Sequence, residues 1–503
     1  MSNQSPQGAA VTGEPKKKAP GLELSRGTRW AFLGVAFAIA LVAFLFPLPE
    51  SIRTVNGLTL TPQGQTTMGI LVFALLLWIS EAIPFHLTGL IGMILITLFG
   101  VTSFTQVVSI GFGNHIFIFF IGVLIMSSFI TRSGLGNRIS VYLLSKTGNS
   151  TSAIIFGFLV AGMVLSMWIT NTAVAAMLMP LGVAILKEEG VMPLKSNFGK
   201  ALMIACAWGP IVGGLMAPSG AGPNPIAIGF LKEMVGIDLT FVGWMIYGVP
   251  TGILLLFPTW GILLLFFRPE MKRLKKSKEE LREAYAVLPP MDREQKVTMI
   301  LFATTVVLWL ATPLLEALLG VAIPISLPVM ITGALFFFPG VATTTWEKVE
   351  KEISWSSILL IVSGISLGMV LYQTGAAEWL AIAMLGGVGG LHPFLLVLLV
   401  VLIVEFLKVF LSSNTVTATI VIPIMITLAA NIGIDALSIT MPAALSTSMA
   451  FILVTSTPTN VIPYTAGYFS IRDMAVAGLV MTLVAAPIVA ATIFVIGGFT
   501  GLY

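Results

Sequence analysis

Charge is scarce in this chain. Of its 503 residues only 10% are Asp, Glu, Lys or Arg, against 57% hydrophobic, whereas a soluble domain carries roughly 25% charged residues. Such a surface is not made for water. The single cysteine, Cys206, excludes a disulfide framework within the chain, and the three histidines, His86, His115 and His392, lie far apart with no metal-ligand spacing. Alternating polar and apolar segments of the kind a membrane barrel needs are missing. No small-x-small cleavage site follows the first apolar run, so a signal peptide is not expected. No His–Asp or Cys–His pairing stands out as a nucleophile and base, so the chain is not read as an enzyme, and no organic cofactor is expected. The net charge of +4 does not indicate nucleic acid, because the basic residues lie between apolar spans.

Long apolar runs are plentiful. They cover 30–48, 67–84, 86–101, 112–131, 198–231, 240–267, 297–318, 322–340, 355–386, 441–467 and 474–500. Each can cross a hydrocarbon core of ~30 Å as a helix, and backbone groups in lipid must be satisfied internally. The fold class expected is an all-α polytopic membrane protein. Residues 1–28 read as a disordered cytoplasmic tail, rich in Gly, Pro, Ser and Lys. The stretch 269–296 is charged all round and reads as a cytoplasmic linker helix.

Lysine and arginine sort to one side when the N-terminus is placed inside. Tail 1–30, loops 131–147, 187–200 and 341–354, the stretch 268–296 and Arg472 hold all of the 26 cations except Arg53, Lys232 and Lys408. This positive-inside bias closes only if two further apolar segments, 150–186 and 392–429, are hairpins that leave by the side they enter. The first would open inward and the second outward.

Those hairpins resemble each other. Thr170-Asn171-Thr172 has Pro180 nine residues after its Asn, and Ser413-Asn414-Thr415 has Pro423 nine after its Asn. A second matched pair follows. Gly220-Ala221-Gly222-Pro223-Asn224 ends 53 residues after Asn171, and Ser456-Thr457-Pro458-Thr459-Asn460 ends 46 after Asn414. Two related halves of opposite orientation with interrupted helices are the architecture of secondary transporters. Polar groups at membrane depth are costly unless they serve a site.

A helix that restarts at such a tip offers free N–H groups and a positive dipole end, which favour an anion. The hydroxyls and amides of Asn171, Thr172, Asn414 and Thr415 add donors without net charge. Two tips meeting in mid-membrane suit a molecule with a carboxylate at each end. The unwound stretches expose carbonyls, which bind a hard cation. Ser166, Thr170, Asn171 and the carbonyl near Gly220 form one candidate cation site. Ser166 and Thr170, four apart, are expected on one helix face. Ser413, Asn414 and Ser456 form the other. Lys408, five residues before Ser413, reads as an ion pair with Glu405 three residues earlier, or as a cation that stands in for one sodium or attracts the anion.

These paired motifs resemble the divalent anion/sodium symporters, the INDY-type carriers of dicarboxylates and citrate, and the resemblance covers roughly residues 30–503. It implies eleven transmembrane helices plus two re-entrant hairpins, a homodimer in the inner membrane, and elevator motion. Scaffold parts would lie at 29–147 and 297–388, and transport parts at 148–268 and 389–503. It implies sodium as co-substrate and C4-dicarboxylates such as succinate, malate and fumarate as cargo. Citrate, 2-oxoglutarate, sulfate and sodium-independent exchange are the alternatives. Carried over by position, cargo would touch Thr170, Asn171, Thr172, Ser413, Asn414, Thr415, Thr457 and Pro458. Thr170 keeps the hydroxyl of the family's first serine. Ala221-Gly222 replaces its hydroxyl-plus-proline pair, which gives fewer donors and more room.

Overall fold

The computed structural model describes residues 25–275 and 288–502. The first half runs α1 (Arg26–Leu45), α2 (Glu50–Arg53), α3 (Pro62–Ser80), α4 (Phe85–Leu98), α5 (Phe104–Phe112), α6 (His115–Arg132), α7 (Leu135–Ser145), α8 (Thr151–Ser166), α9 (Asn171–Glu188), α10 (Asn197–Gly214), α11 (Pro223–Val235) and α12 (Phe241–Phe266). The second runs α13 (Arg293–Leu319), α14 (Ser326–Leu335), α15 (Trp346–Glu350), α16 (Trp355–Gln373), α17 (Ala376–Leu385), α18 (Pro393–Phe410), α19 (Asn414–Ile432), α20 (Ala436–Thr447), α21 (Pro458–Tyr464) and α22 (Ile471–Thr500). Among the described residues, ten of these are long and apolar enough to cross a membrane. Leu265, Leu314, Leu318, Phe406 and Phe499 point outward, as a lipid-facing belt requires.

Several boundaries differ from the sequence reading for local reasons. Most of the expected tail lies outside the described residues, but its end does not. Ser25 caps α1 by accepting the Thr28 N–H at 3.1 Å, so helix begins before residue 28. The core of the expected linker helix, 276–287, also lies outside them. Its described flanks are irregular up to Asp292, which caps α13 through the Gln295 N–H at 2.8 Å. The expected span 112–131 breaks at Gly113–Asn114, where Asn114 Oδ1 accepts the Ile116 N–H at 2.9 Å. The span 355–386 breaks at Gly375, whose φ of +74° a side chain rarely adopts. Strand was not expected, yet Thr54–Val55 pairs antiparallel with Leu58–Thr59. The positive φ of Asn56 (49°) and Gly57 (84°) makes that tight turn possible.

Both hairpins return to the face they leave. At the start of α8 the Thr151 N–H donates to Lys272 O, and past the end of α9 Glu189 Oε1 accepts the Lys275 N–H at 2.9 Å. The same segment ties Ser196 to Glu270. Arg132–Glu352 at 2.6 Å and Lys200–Asp473 at 2.8 Å complete a basic face. The second hairpin starts at His392, whose ring lies 5.6 Å from that of Phe494 late in α22, and its far end leads to Ser438, which donates to Leu502 O. Asp473 lies in the first turn of α22 and Phe494 in its last turns, so the two hairpins open to opposite faces. Buried tryptophans lock the interior: Trp78 donates to Phe85 O, Trp244 to Leu215 O and Trp309 to Ile325 O, each within 3.0 Å. Such a partner offsets the cost of burying an indole N–H, which the fully buried Trp208 bears without one.

Candidate functional site

Each hairpin turns at its polar triplet because the helix cannot continue. α8 stops at Ser166, residues 167–170 are irregular, and Thr170 is the N-cap of α9. Ser413 caps α19, its Oγ accepting the Val416 N–H at 3.4 Å. The matched broken spans behave alike. α10 ends at Gly214 and α11 begins at Pro223, while α20 ends at Thr447 and α21 begins at Pro458. Proline suits the first turn, where its missing N–H would be unsatisfied anyway.

One residue in each break holds the unwound backbone together. Asn224 Nδ2 donates to Gly214 O and Ala217 O, both at 2.7 Å. Asn460 Nδ2 donates to Ala450 O at 2.7 Å and Leu453 O at 3.0 Å. The acceptors lie ten and seven residues back in both cases, so the repeat extends to individual hydrogen bonds. Both asparagines are fully buried. Sequence reasoning placed them in the motifs but gave them no role; their matched place at the end of each break was the available signal.

The two tips and the two breaks meet around one cavity of about 720 Å³. Its wall includes Thr170, Asn171, Thr172, Ser413, Asn414, Thr415, Thr457 and Pro458, all singled out from the sequence, together with Gly220. Ala221 and Gly222, expected to give this side of the pocket fewer donors and more room, line it too, and Thr459 and Ser219 join them without having been foreseen. The halves interlock crosswise. Thr172 of the first tip has its hydroxyl 3.4 Å from that of Thr459 in the second break. A Cβ on Gly222 of the first break would come within 2.7 Å of the Thr415 hydroxyl of the second tip. Among the described residues no lysine or arginine lines the cavity, and the one charged residue of its wall is Glu352. That carboxylate is occupied by Arg132 and by the Ser128 hydroxyl, each at 2.6 Å. The cavity extends toward the basic face along Ser127, Thr131, Ser354 and Ser357.

Three helices of more than two turns, α9, α11 and α19, begin at this wall. Their N-terminal dipole ends supply positive potential without a cationic side chain. The hydroxyls of Thr172, Thr415, Thr457 and Thr459 add neutral donors. The arrangement can hold an anion and let it go again.

Ser166 lies behind the first tip and is fully buried. The expectation that it shares a helix face with Thr170 is corrected, since α8 ends at Ser166 itself. Its hydroxyl meets the Asn171 side chain at 2.5 Å instead. With the amide nitrogen of Asn171 turned inward, it donates to Gly220 O at 2.9 Å and Pro210 O at 3.1 Å. With the amide oxygen turned inward, that oxygen faces Ser166 Oγ and these two carbonyls. Such an all-oxygen cluster is the donor set a hard cation takes.

The second cluster is different. Ser456 is four residues before Asn460, as Gly220 is four before Asn224. Its carbonyl accepts from Lys408 Nζ at 3.4 Å. The expected ion pair with Glu405 is not formed: the ammonium turns to the carbonyl, and Glu405 Oε1 is left without a hydrogen-bond partner. Asn414 donates to Ser448 O at 3.4 Å, and its Oδ1 is likewise unpartnered.

Comparison with known proteins gives a consistent result. The family described as the sodium:sulfate symporter transmembrane region matches residues 27–499. A sodium-dependent dicarboxylate transporter, SdcS, of Staphylococcus saprophyticus is 30% identical over 455 residues, 86% of this chain and 87% of the relative. SdcS of Staphylococcus aureus is 32% identical over the same shares. Among solved structures, the Alcanivorax borkumensis YdaH transporter aligns with a TM-score of 0.54 at 17% identity, over 79% of this chain and 89% of that one. The Neisseria gonorrhoeae MtrF efflux pump aligns with a TM-score of 0.54 at 14% identity, over 94% and 95%. At those identities the two structures speak to the fold alone.

Proposed function

The chain belongs to the sodium:sulfate symporter transmembrane family, and on that premise we propose that it is a sodium-coupled secondary carrier of small dicarboxylate dianions. C4 acids such as succinate, malate and fumarate fit the reading. The observation that carries it is the shared cavity: both hairpin tips and both helix breaks wall one space with neutral donors and no cationic side chain. A carboxylate at each end of the cargo finds donors from each tip, Asn171 and Thr172 on one side and Asn414 and Thr415 on the other. The named activity of the SdcS relatives, sodium-dependent dicarboxylate transport, agrees with this chemistry.

Sodium is a co-substrate in this reading. Ser166, Asn171 and the carbonyls of Pro210 and Gly220 provide its oxygen shell, with Thr170 beside them. The chain is a carrier and not an enzyme. The basic face is the cytoplasmic face of the inner membrane, in line with the positive-inside bias. Residues 148–268 and 389–503 move as a transport unit against a scaffold of 29–147 and 297–388, in a homodimer. Ala221 and Gly222 leave the first break short of hydroxyl donors, which favours a C4 acid with two carboxylates over citrate with three.

The test is uptake of labelled succinate into proteoliposomes, with and without an inward sodium gradient and with and without internal dicarboxylate. Sodium-stimulated succinate uptake is expected, competed by malate and fumarate. Succinate transport that ignores sodium in every arm refutes the coupling, and no succinate transport at all refutes the cargo.

A further inference from the structure

We propose that Lys408 is a built-in cation that fills the second of the two cation sites, leaving the carrier one exchangeable sodium. The inference rests on the repeat. In the first half, the carbonyl four residues before the break asparagine, Gly220 O, faces the Asn171 side-chain amide together with Ser166 Oγ and Pro210 O. In the second half, the equivalent carbonyl, Ser456 O, faces the Lys408 ammonium.

Lys408 is 3% exposed and comes from the last turn of α18, just before the second tip. Only a gap of about 10 Å³ remains beside it, walled by Glu405, Val409, Met449, Phe451 and Ser456. That is the smallest space that accommodates even one water, so a hydrated sodium has no room while the lysine is present. Glu405, 4% exposed, is the acidic group of this wall, and it does not draw the ammonium off the carbonyl. The Asn414 Oδ1 has no hydrogen-bond partner, so this half-site keeps an oxygen that an added cation could use once the lysine is gone.

A buried lysine at the membrane mid-depth is costly and by default functional. Its ammonium offers three donors and a single positive charge, which matches the charge of the sodium it replaces. Unlike sodium it cannot leave, so it crosses with the transport unit in both directions.

The inference rests on the sodium-coupled reading above, and a binding measurement separates the two. Equilibrium binding of radioactive sodium to purified full-length protein in detergent is compared between wild type, Lys408→Ala and Lys408→Arg. One sodium per chain is expected for wild type and Lys408→Arg, and two for Lys408→Ala. The double variant Lys408→Ala/Glu405→Gln is also expected to bind two, because the site is formed by Ser456 O and Asn414 and not by the carboxylate. Equal counts in wild type and Lys408→Ala overturn the proposal, as does a double variant that binds only one. Should the neutral variants fail to fold, wild type alone decides: two or more sodium ions bound per chain, or carried per succinate, overturn it. A wild type that binds one sodium but moves no dicarboxylate upholds this inference and refutes the cargo instead.

Discussion

Gly214→Ala puts a methyl group into the first oxygen cluster, against the buried side of Asn171, without replacing any residue of the cavity wall. A Cβ built on Gly214 falls 1.9 Å from Asn171 Oδ1 and 2.6 Å from its Cγ and Nδ2. Ordinary non-bonded contact begins near ~3.5 Å, so the amide must retreat by roughly 1.5 Å. The neighbouring backbone leaves little slack, because Gly213 is pressed against Met163 and Gly220 against Ser166 O. The retreat takes the Asn171 amide oxygen away from the Ser166 hydroxyl and the Pro210 and Gly220 carbonyls that it faces when turned inward. Losing that one ligand, at up to about 3 kcal/mol for a contact to a charged group, weakens sodium binding by up to roughly a hundredfold. Overpacking costs about 1–3 kcal/mol of stability, offset in part by the better helix propensity of alanine. Succinate uptake into proteoliposomes, titrated with external sodium, is the assay. Half-saturation is expected to move up by as much as about a hundredfold in Gly214→Ala. Gly261→Ala, whose Cβ meets nothing within 4 Å, serves as the control. A Gly214→Ala carrier with wild-type sodium dependence removes Asn171 from the cation site.

Asn171→Ala and Asn414→Ala are each expected to abolish succinate uptake while gel filtration still shows folded protein; uptake near the wild-type rate by either one contradicts the paired-tip reading. Asn224→Ala and Asn460→Ala instead attack the fold, since each strands two buried carbonyls. A loss of about 2–4 kcal/mol is expected from unpaired acceptors, read as a lowered melting temperature in detergent, and an unchanged melt refutes it. On the basic face, burial works against the Glu270 carboxylate, but the Ser196 hydroxyl and the Phe198 backbone N–H hold it below the usual carboxylate range. Its stabilisation is therefore full above about pH 4.3 and fades as pH falls through the depressed folded value. The melting difference between wild type and Glu270→Gln is expected to shrink toward zero only in that acid window; a difference that stays constant down to the lowest pH refutes the link.

What the sequence made legible was mostly what lipid dictates. Hydropathy found the spans, and the placement of lysine and arginine required two hairpins of opposite sense, which Thr151, Glu189 and His392 bear out by their contacts. The paired triplets supplied six of the eight expected cargo residues and the second break the other two, and all eight lie on one wall. Interruptions were harder to read. Gly113–Asn114 and Gly375 end helices inside continuous apolar runs, where hydropathy does not change and only capping and φ decide. Side-chain direction was hardest. Ser166 and Thr170 have helical spacing, but the helix stops between them, so the serine faces Asn171. Glu405 and Lys408 also have pairing distance on one helix face, yet the tertiary carbonyl of Ser456 takes the ammonium. Sequence spacing describes neighbours within a helix and is silent about partners from another segment.

The asymmetry between the two cation clusters bears on the direction of flow. A dianion entering with one sodium carries a net charge of −1. Moving that charge into a cell at −100 mV costs about 2.3 kcal/mol, while a tenfold sodium gradient returns only about 1.4 kcal/mol. Net import is then uphill by roughly 0.9 kcal/mol before any succinate gradient is built. The tethered charge of Lys408 gives no help, because it crosses on the return stroke as well. The same cost appears on the return stroke, where an empty transport unit carries the ammonium back without cargo. A dianion leaving on the return stroke removes it, since like charges travel each way. Proteoliposomes loaded with unlabelled succinate are therefore expected to take up labelled succinate at least about tenfold faster than empty ones at a negative-inside potential of ~100 mV. In Lys408→Ala that advantage should collapse, because a second sodium neutralises the incoming dianion and the empty unit returns uncharged. Wild-type uptake that is indifferent to internal succinate contradicts the tethered-cation account of the return stroke, whatever the sodium count.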